Sequence, residues 1–171
     1  NNIYLYDPQA HAGNRMSIDK TLYKRLGGQA TLERVHKTFY DMAYAHPWLR
    51  KYFTDKPQQA LEEQQTDFMS YLIGGPNRYT GKTPKFAHQH MVISEELFEV
   101  RRQLLSEAIK KEKISDELRE EWLAADSSLK RALIKKSSAD CQLAYRSEER
   151  TSELQSVRQL GCRLVIEKKK Q

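Results

Sequence analysis

The stretch GGPNRYTGKTPKFAHQHMVIS, Gly74 to Ser94, lies between two segments of helical periodicity and cannot itself be one helix. Gly74, Gly75, Pro76, Gly81 and Pro84 interrupt it, each proline removing a backbone donor and each glycine loosening the chain. Only the run from about Thr83 to His90 can close a turn or two of helix, and it ends on His88 and His90. A long irregular segment kept inside a helical domain usually serves a site.

Working outward, the apolar spacing predicts helices on both sides. Upstream, Gln58 to Ile73 carries Leu61, Phe68 and Leu72 on one face, and Gln65 falls on the same stripe. Before it, Pro47 to Phe53 reads as a tight helical turn, and Gln29 to Ala45 places Leu32, Val35, Phe39 and Met42 on one face with Tyr40 beside it. A first short helix is expected from about Ser17, a plausible cap, to Leu26, stopped by Gly27-Gly28. Downstream, Ser94 with Glu95 and Glu96 predicts a helix start, continued by Leu97, Val100, Leu104 and Ala108. Arg101 interrupts that sector. One more helix is expected from Ser115-Asp116-Glu117 through Leu118, Trp122, Ala125, Leu129 and Leu133. The fold class is therefore all-α.

Two features stand out against this background. Gln65 sets a carboxamide among apolar neighbours, which costs on the order of 1–3 kcal/mol unless its groups are bonded. A bond to some nearby carbonyl satisfies it without any function; a role in a site does so equally. His88 and His90 sit beside Phe86, Met91, Val92 and Ile93, an apolar neighbourhood in which a histidine is either structural or a ligand. His11, His36 and His46 show no spacing that completes a zinc site with them.

From Thr21 to about Lys136 the chain resembles a truncated haemoglobin, most similar to the group I subfamily. The resemblance is carried by Leu22-Tyr23-Lys24-Arg25-Leu26-Gly27-Gly28, Phe39-Tyr40, Tyr52-Phe53, Gln65, Gly74-Gly75-Pro76 and Tyr79-Thr80-Gly81-Lys82, followed by His88. It implies the abbreviated globin arrangement, two helix pairs crossed around haem b (iron protoporphyrin IX). His88 is then the axial iron ligand, with His90 the rival. Phe53, Leu61, Phe68, Phe86 and Ile93 are implied to line the cofactor, Leu61 standing where many conventional globins carry a distal histidine. Tyr40 and Gln65 become the pair that donates to a ligand on the iron, and Gln64 points along the haem edge or into solvent. Arg101 departs from the family, which has an apolar or tryptophan residue there; it must reach a propionate, pair with a glutamate or turn outward.

The activity so implied is reversible binding of oxygen, nitric oxide and carbon monoxide. Group I resemblance extends this to nitric oxide dioxygenation, with a separate electron-donating reductase because the chain shows no flavin or nicotinamide motif. A haem-based sensor or relay, reporting through the extension after Ser137, is the alternative. A basic helical module that never holds haem is the third reading.

Length and composition set the remaining bounds. The 171 residues suffice for one core, and 39% hydrophobic with 30% charged residues fits a soluble, helix-rich chain. The expected organisation is an extension over 1–18, the globin domain over 19–136 and a second extension over 137–171. In the latter, Leu154, Val157 and Leu160 suggest a helix, and Cys162 to Ile166 a short strand or docking segment. The net charge of +6 and pI of about 9.2 come largely from Lys130, Arg131, Lys135, Lys136 and Lys168-Lys169-Lys170. Cations near a helix end oppose its dipole, so the first group needs no nucleic acid. No apolar run approaches a membrane span and no segment reads as a signal peptide, so a cytoplasmic location is expected. Cys141 and Cys162 fall beyond the globin-like part and are expected to be free thiols.

Overall fold

The structure, a computed structural model, describes residues 21–137. The N-terminal extension, both cysteines, the Leu154–Leu160 periodicity and the Cys162–Ile166 segment lie outside the described residues. Within them the chain forms α1 (Leu22–Leu26), α2 (Gln29–Ala45), a 3-10 turn (Leu49–Tyr52), α3 (Gln58–Leu72), α4 (Pro84–Ala87), α5 (Glu95–Lys111), α6 (Asp116–Ser127) and α7 (Lys130–Leu133). No strand occurs among the described residues.

Within the described residues the first helix begins at Leu22. Thr21 is extended, with ψ of 146°, and its side chain accepts the Lys24 N–H at 3.3 Å, so Thr21 caps α1, while Ser17 lies outside the described residues. Gly27 ends the helix at φ of 99°, a left-handed conformation that costs a glycine nothing. The second helix matches its periodicity and buries Leu32, Val35, His36, Phe39, Tyr40 and Ala43. After it, His46 Nδ1 accepts the N–H groups of Trp48 and Leu49 at 3.1 and 3.2 Å, which seeds the 3-10 turn.

In α3 the expected stripe is buried only at Leu72, and a second face carries most of the burial. Thr66, Met69, Ser70 and Leu72 are buried, whereas Leu61, Gln65 and Phe68 are half-buried along its flank. Hydroxyls hid this face from a hydropathy reading. Both are bonded: Thr66 Oγ lies 2.7 Å from His36 Nδ1, and Ser70 Oγ donates to the Pro76 carbonyl at 3.1 Å.

The expected single helix over 115–133 is broken into α6 and α7. Apolar spacing continues through the break, which is why it gives no sign of it, but Ser127 and Ser128 are weak helix formers. Arg102 Nε donates to Ser127 Oγ at 3.1 Å and fixes the chain where α6 ends.

By their contacts the described residues form two compact units, 21–81 with 102–127, and 82–101 with 128–137. The first is built on α2 against α3, with Trp122 of α6 fully buried and its ring edge-on to His36 at 5.6 Å. Burying each large apolar side chain there stabilises by roughly 1.5–3 kcal/mol. Arg25 of α1 closes on Glu121 of α6 through two bonds of 2.7 and 2.6 Å, and Thr38 Oγ donates to Glu112 at 2.9 Å. The second unit holds α4, the start of α5 and α7 around Val92, Ile93, Leu97, Phe98 and Leu133. Ser94 caps α5 as expected, its Oγ accepting the Leu97 N–H at 3.1 Å.

Candidate functional site

The histidine segment of the second unit is set by one proline. Thr83 is extended and Pro84 opens α4, where its missing N–H costs nothing. The carbonyl of Pro84 then accepts twice from His88: its backbone N–H at 3.2 Å and, on the side-chain face, Nδ1 at 2.8 Å. A nitrogen that donates to a carbonyl carries the proton, so the neutral ring holds its lone pair on Nε2. That tautomer suits an iron held from one side. Among the described residues no group of three or more His, Cys, Asp and Glu side chains could hold a metal by itself.

Beyond His88 the chain makes a turn, with Met91 N–H donating to the His88 carbonyl at 3.0 Å, and His90 exposed within it. Lys135, just after α7, sends its ammonium into this turn and donates to the carbonyls of His88, Gln89 and Met91 at 2.8, 2.6 and 2.9 Å. Val92 and Ile93 are buried and Met91 half-buried, as the apolar neighbourhood predicts. Phe86 is 58% exposed. Pro84, Ala87 and His88 form the half-buried side of this single turn, and Phe86 falls off it. Arg101, further along α5, is half-buried.

The tyrosine and glutamine belong to the first unit. Tyr40 on α2 is 7% exposed and lies edge-on to Phe39 at 5.0 Å, Phe53 at 5.8 Å and Tyr44 at 6.4 Å. Phe53 in turn stacks on Tyr44 at 5.4 Å and 17°. The Tyr44 hydroxyl donates to the Lys56 carbonyl at 2.6 Å, so this aromatic group is anchored to the turn before α3. Leu61, Gln65 and Phe68 follow one another along the half-buried flank of α3, and Phe68 meets Tyr79 edge-on at 5.1 Å.

The irregular loop is tied to the same helix. A Cβ on Gly81 would lie 2.5 Å from the Tyr79 hydroxyl and 2.7 Å from Gln64 Nε2, so the loop backbone passes directly beneath both groups. Burial raises the Tyr79 pKa, with a bond from Gln64 acting the other way. Gln64 is thus a loop anchor. Two features gave no signal in the sequence: the buried His36–Thr66 pair and the Lys135 contacts, since a threonine in a helix and a lysine in a basic run both read as ordinary.

Residues 21–134 match the family described as bacterial-like globin. A group 1 truncated haemoglobin of Tetrahymena thermophila is 32% identical over 103 residues, covering 60% of this chain and 85% of its own. Among solved structures, the truncated haemoglobin of Tetrahymena pyriformis in its Fe(III) form aligns with TM-score 0.65 and 26% identity, over 68% of this chain and all of the other. It has also been solved as a tyrosine-to-phenylalanine and as two glutamine-to-glutamate variants. The 2/2 haemoglobin of Synechococcus sp. PCC 7002, solved with covalently attached haem, aligns with TM-score 0.62 and 25% identity over 66% of this chain and 95% of its own. Helices alone, the double-glycine loop before a single-turn helix, and a match across the described residues lead to one conclusion: this chain belongs to the bacterial-like globin family and is a truncated haemoglobin similar to those of group 1.

Proposed function

We propose that the chain binds haem b with His88 as its axial ligand and uses it to bind oxygen, nitric oxide and carbon monoxide. The observation that carries this reading is the bond from His88 Nδ1 to the Pro84 carbonyl, which selects the tautomer whose Nε2 can bind iron. Haem would supply a ferrous iron that takes up diatomic gases and that, given oxygen and nitric oxide together, furnishes the electron for nitrate formation. Tyr40 and Gln65 serve as hydrogen-bond donors to the gas. In the T. pyriformis protein the substituted tyrosine and one of the substituted glutamines stand as far apart in the chain as Tyr40 and Gln65 do here. The other stands at the separation of Leu61, so this chain keeps one carboxamide and replaces the second by an apolar side chain.

Phe53 and Phe68, each held by a neighbouring tyrosine ring, together with Leu61 and Ile93, line the cofactor and exclude water in this proposal. Exclusion of water strengthens each donated bond and limits oxidation of the iron. Nitric oxide dioxygenation is the proposed activity: one nitric oxide, one oxygen and one electron make one nitrate, and a separate reductase returns the electron. The cytoplasm, where such reductants are at hand, is the proposed location.

Absorption spectra of the haem-reconstituted ferric, ferrous and oxygenated chain test this reading. The wild type should give an intense Soret band, and His88→Ala should lose the ordinary five-coordinate ferrous spectrum. An unchanged spectrum in His88→Ala would transfer the ligand role to His90 or another residue.

A further inference from the structure

We propose that Lys135 is a positioning residue for the His88 imidazole, a role that rests on the reading of His88 as the axial ligand. The helix bearing His88 is one turn long, and a helix of that length is not stable on its own hydrogen bonds, so the bond from the ring to Pro84 needs support from outside the helix. Upstream of the ring the backbone is fixed, because Thr83 and Pro84 carbonyls accept from Ala87 and His88 at 2.9 and 3.2 Å. Downstream, the carbonyls past the end of such a helix have no helical donors.

The ammonium of Lys135 supplies them. It has three N–H donors, and three carbonyls lie within bonding distance, those of His88, Gln89 and Met91. Its own backbone N–H donates to the Ile93 carbonyl at 3.1 Å, so residue 135 is fastened to both ends of the turn that follows the imidazole. Lys135 is itself placed by α7, which buries Leu133 and contacts α4. Hydrogen bonds from a charged donor are roughly twice as strong as neutral ones, and a flexible stem lets one point charge meet three acceptors that diverge in direction. Substituting Lys135 leaves the His88 carbonyl with the Met91 N–H and releases the Gln89–Met91 backbone. The ring would then keep its bond to Pro84 only as long as that backbone stays in place.

Two measurements on the full chain, with Lys135→Met, Lys135→Arg and the exposed neighbour Lys136→Met, test the proposal. Long-range proton–nitrogen correlation spectra of the haem-free chain report the His88 tautomer. One Nδ1–H form is expected in the wild type and in Lys136→Met, and a mixture of forms in Lys135→Met. On the haem-loaded chain, transfer of haem to apomyoglobin should quicken by about tenfold or more in Lys135→Met, as expected when a group orienting a metal ligand is lost. The iron–histidine stretch in resonance Raman spectra should broaden with it. Lys135→Arg, whose planar fork reaches fewer of the three carbonyls, should fall between. An unchanged tautomer in Lys135→Met overturns the proposal, as does haem transfer equal to that of Lys136→Met. If the wild type takes up no haem, the proposed function fails by itself; the tautomer measurement still decides whether Lys135 orients the ring.

Discussion

Replacing Tyr40 by phenylalanine isolates one hydroxyl. The ring is 7% exposed and keeps its edge contacts with Phe39, Tyr44 and Phe53, all of which phenylalanine can make. No cavity opens, so the folding cost is limited to one hydrogen bond, about 1 kcal/mol. The gas-binding consequence is larger. A hydrogen bond to a ligand that gains charge on binding is worth roughly 1.5–3 kcal/mol, which expressed in release alone is about ten- to a hundredfold in rate. Stopped-flow displacement of oxygen by carbon monoxide measures that rate, and a thermal melt on the same preparation checks the fold. Tyr40→Phe should therefore release oxygen much faster while melting within a few degrees of the wild type. An oxygen off-rate within about twofold of the wild type, at preserved stability, would remove Tyr40 from the donor role.

The other predictions concern what holds the fold in place. Gly75→Ala should destabilise by about 1–3 kcal/mol, because a Cβ there would lie 2.5 Å from Tyr23 Cδ2 and 2.6 Å from Ser70 Oγ; an unchanged denaturation midpoint would show that both groups can move aside. The two bonds from Arg25 hold the Glu121 carboxyl below its usual value, so the stability it lends is full above its unfolded pKa and fades as the pH falls through the lowered one. Glu121→Gln should accordingly melt lower than the wild type at neutral pH and converge with it below about pH 4. A constant gap across that range would refute the linkage.

How much of this could be read from the residues alone depends on what each residue does with its polar atoms. The bounds of the second helix and its Leu32, Val35 and Phe39 stripe were legible because those side chains are apolar, whereas its buried His36 was not, and Ser94 was legible because a serine before two glutamates has one evident use. The buried face of α3 was not, since Thr66 and Ser70 are hydroxyl-bearing residues whose partners, His36 and the Pro76 carbonyl, are set by tertiary contact. Conversely the α6–α7 break was concealed by good periodicity, because spacing records which side chains face inward and says little about whether the backbone between them is continuous.

The candidate site divides along the same line. Family resemblance and the double-glycine loop direct attention to His88, Tyr40 and Gln65 before any coordinate is known. What the resemblance does not contain is the means of support: a proline carbonyl that accepts twice, a tyrosine stacked to hold Phe53, a glutamine spent on the loop, and a lysine spent on three carbonyls. Each of these uses a residue that sequence reasoning treats as surface or punctuation. A single-turn helix explains why so many are needed here. With too few internal hydrogen bonds to be stable alone, α4 has to be fixed by groups distant in sequence, and Lys135 lies 47 residues from the His88 carbonyl it holds. Orientation of the imidazole is therefore shared between α4 and the segment after α7, and under the proposed role of Lys135 substitutions there should reach His88 as surely as substitutions beside it.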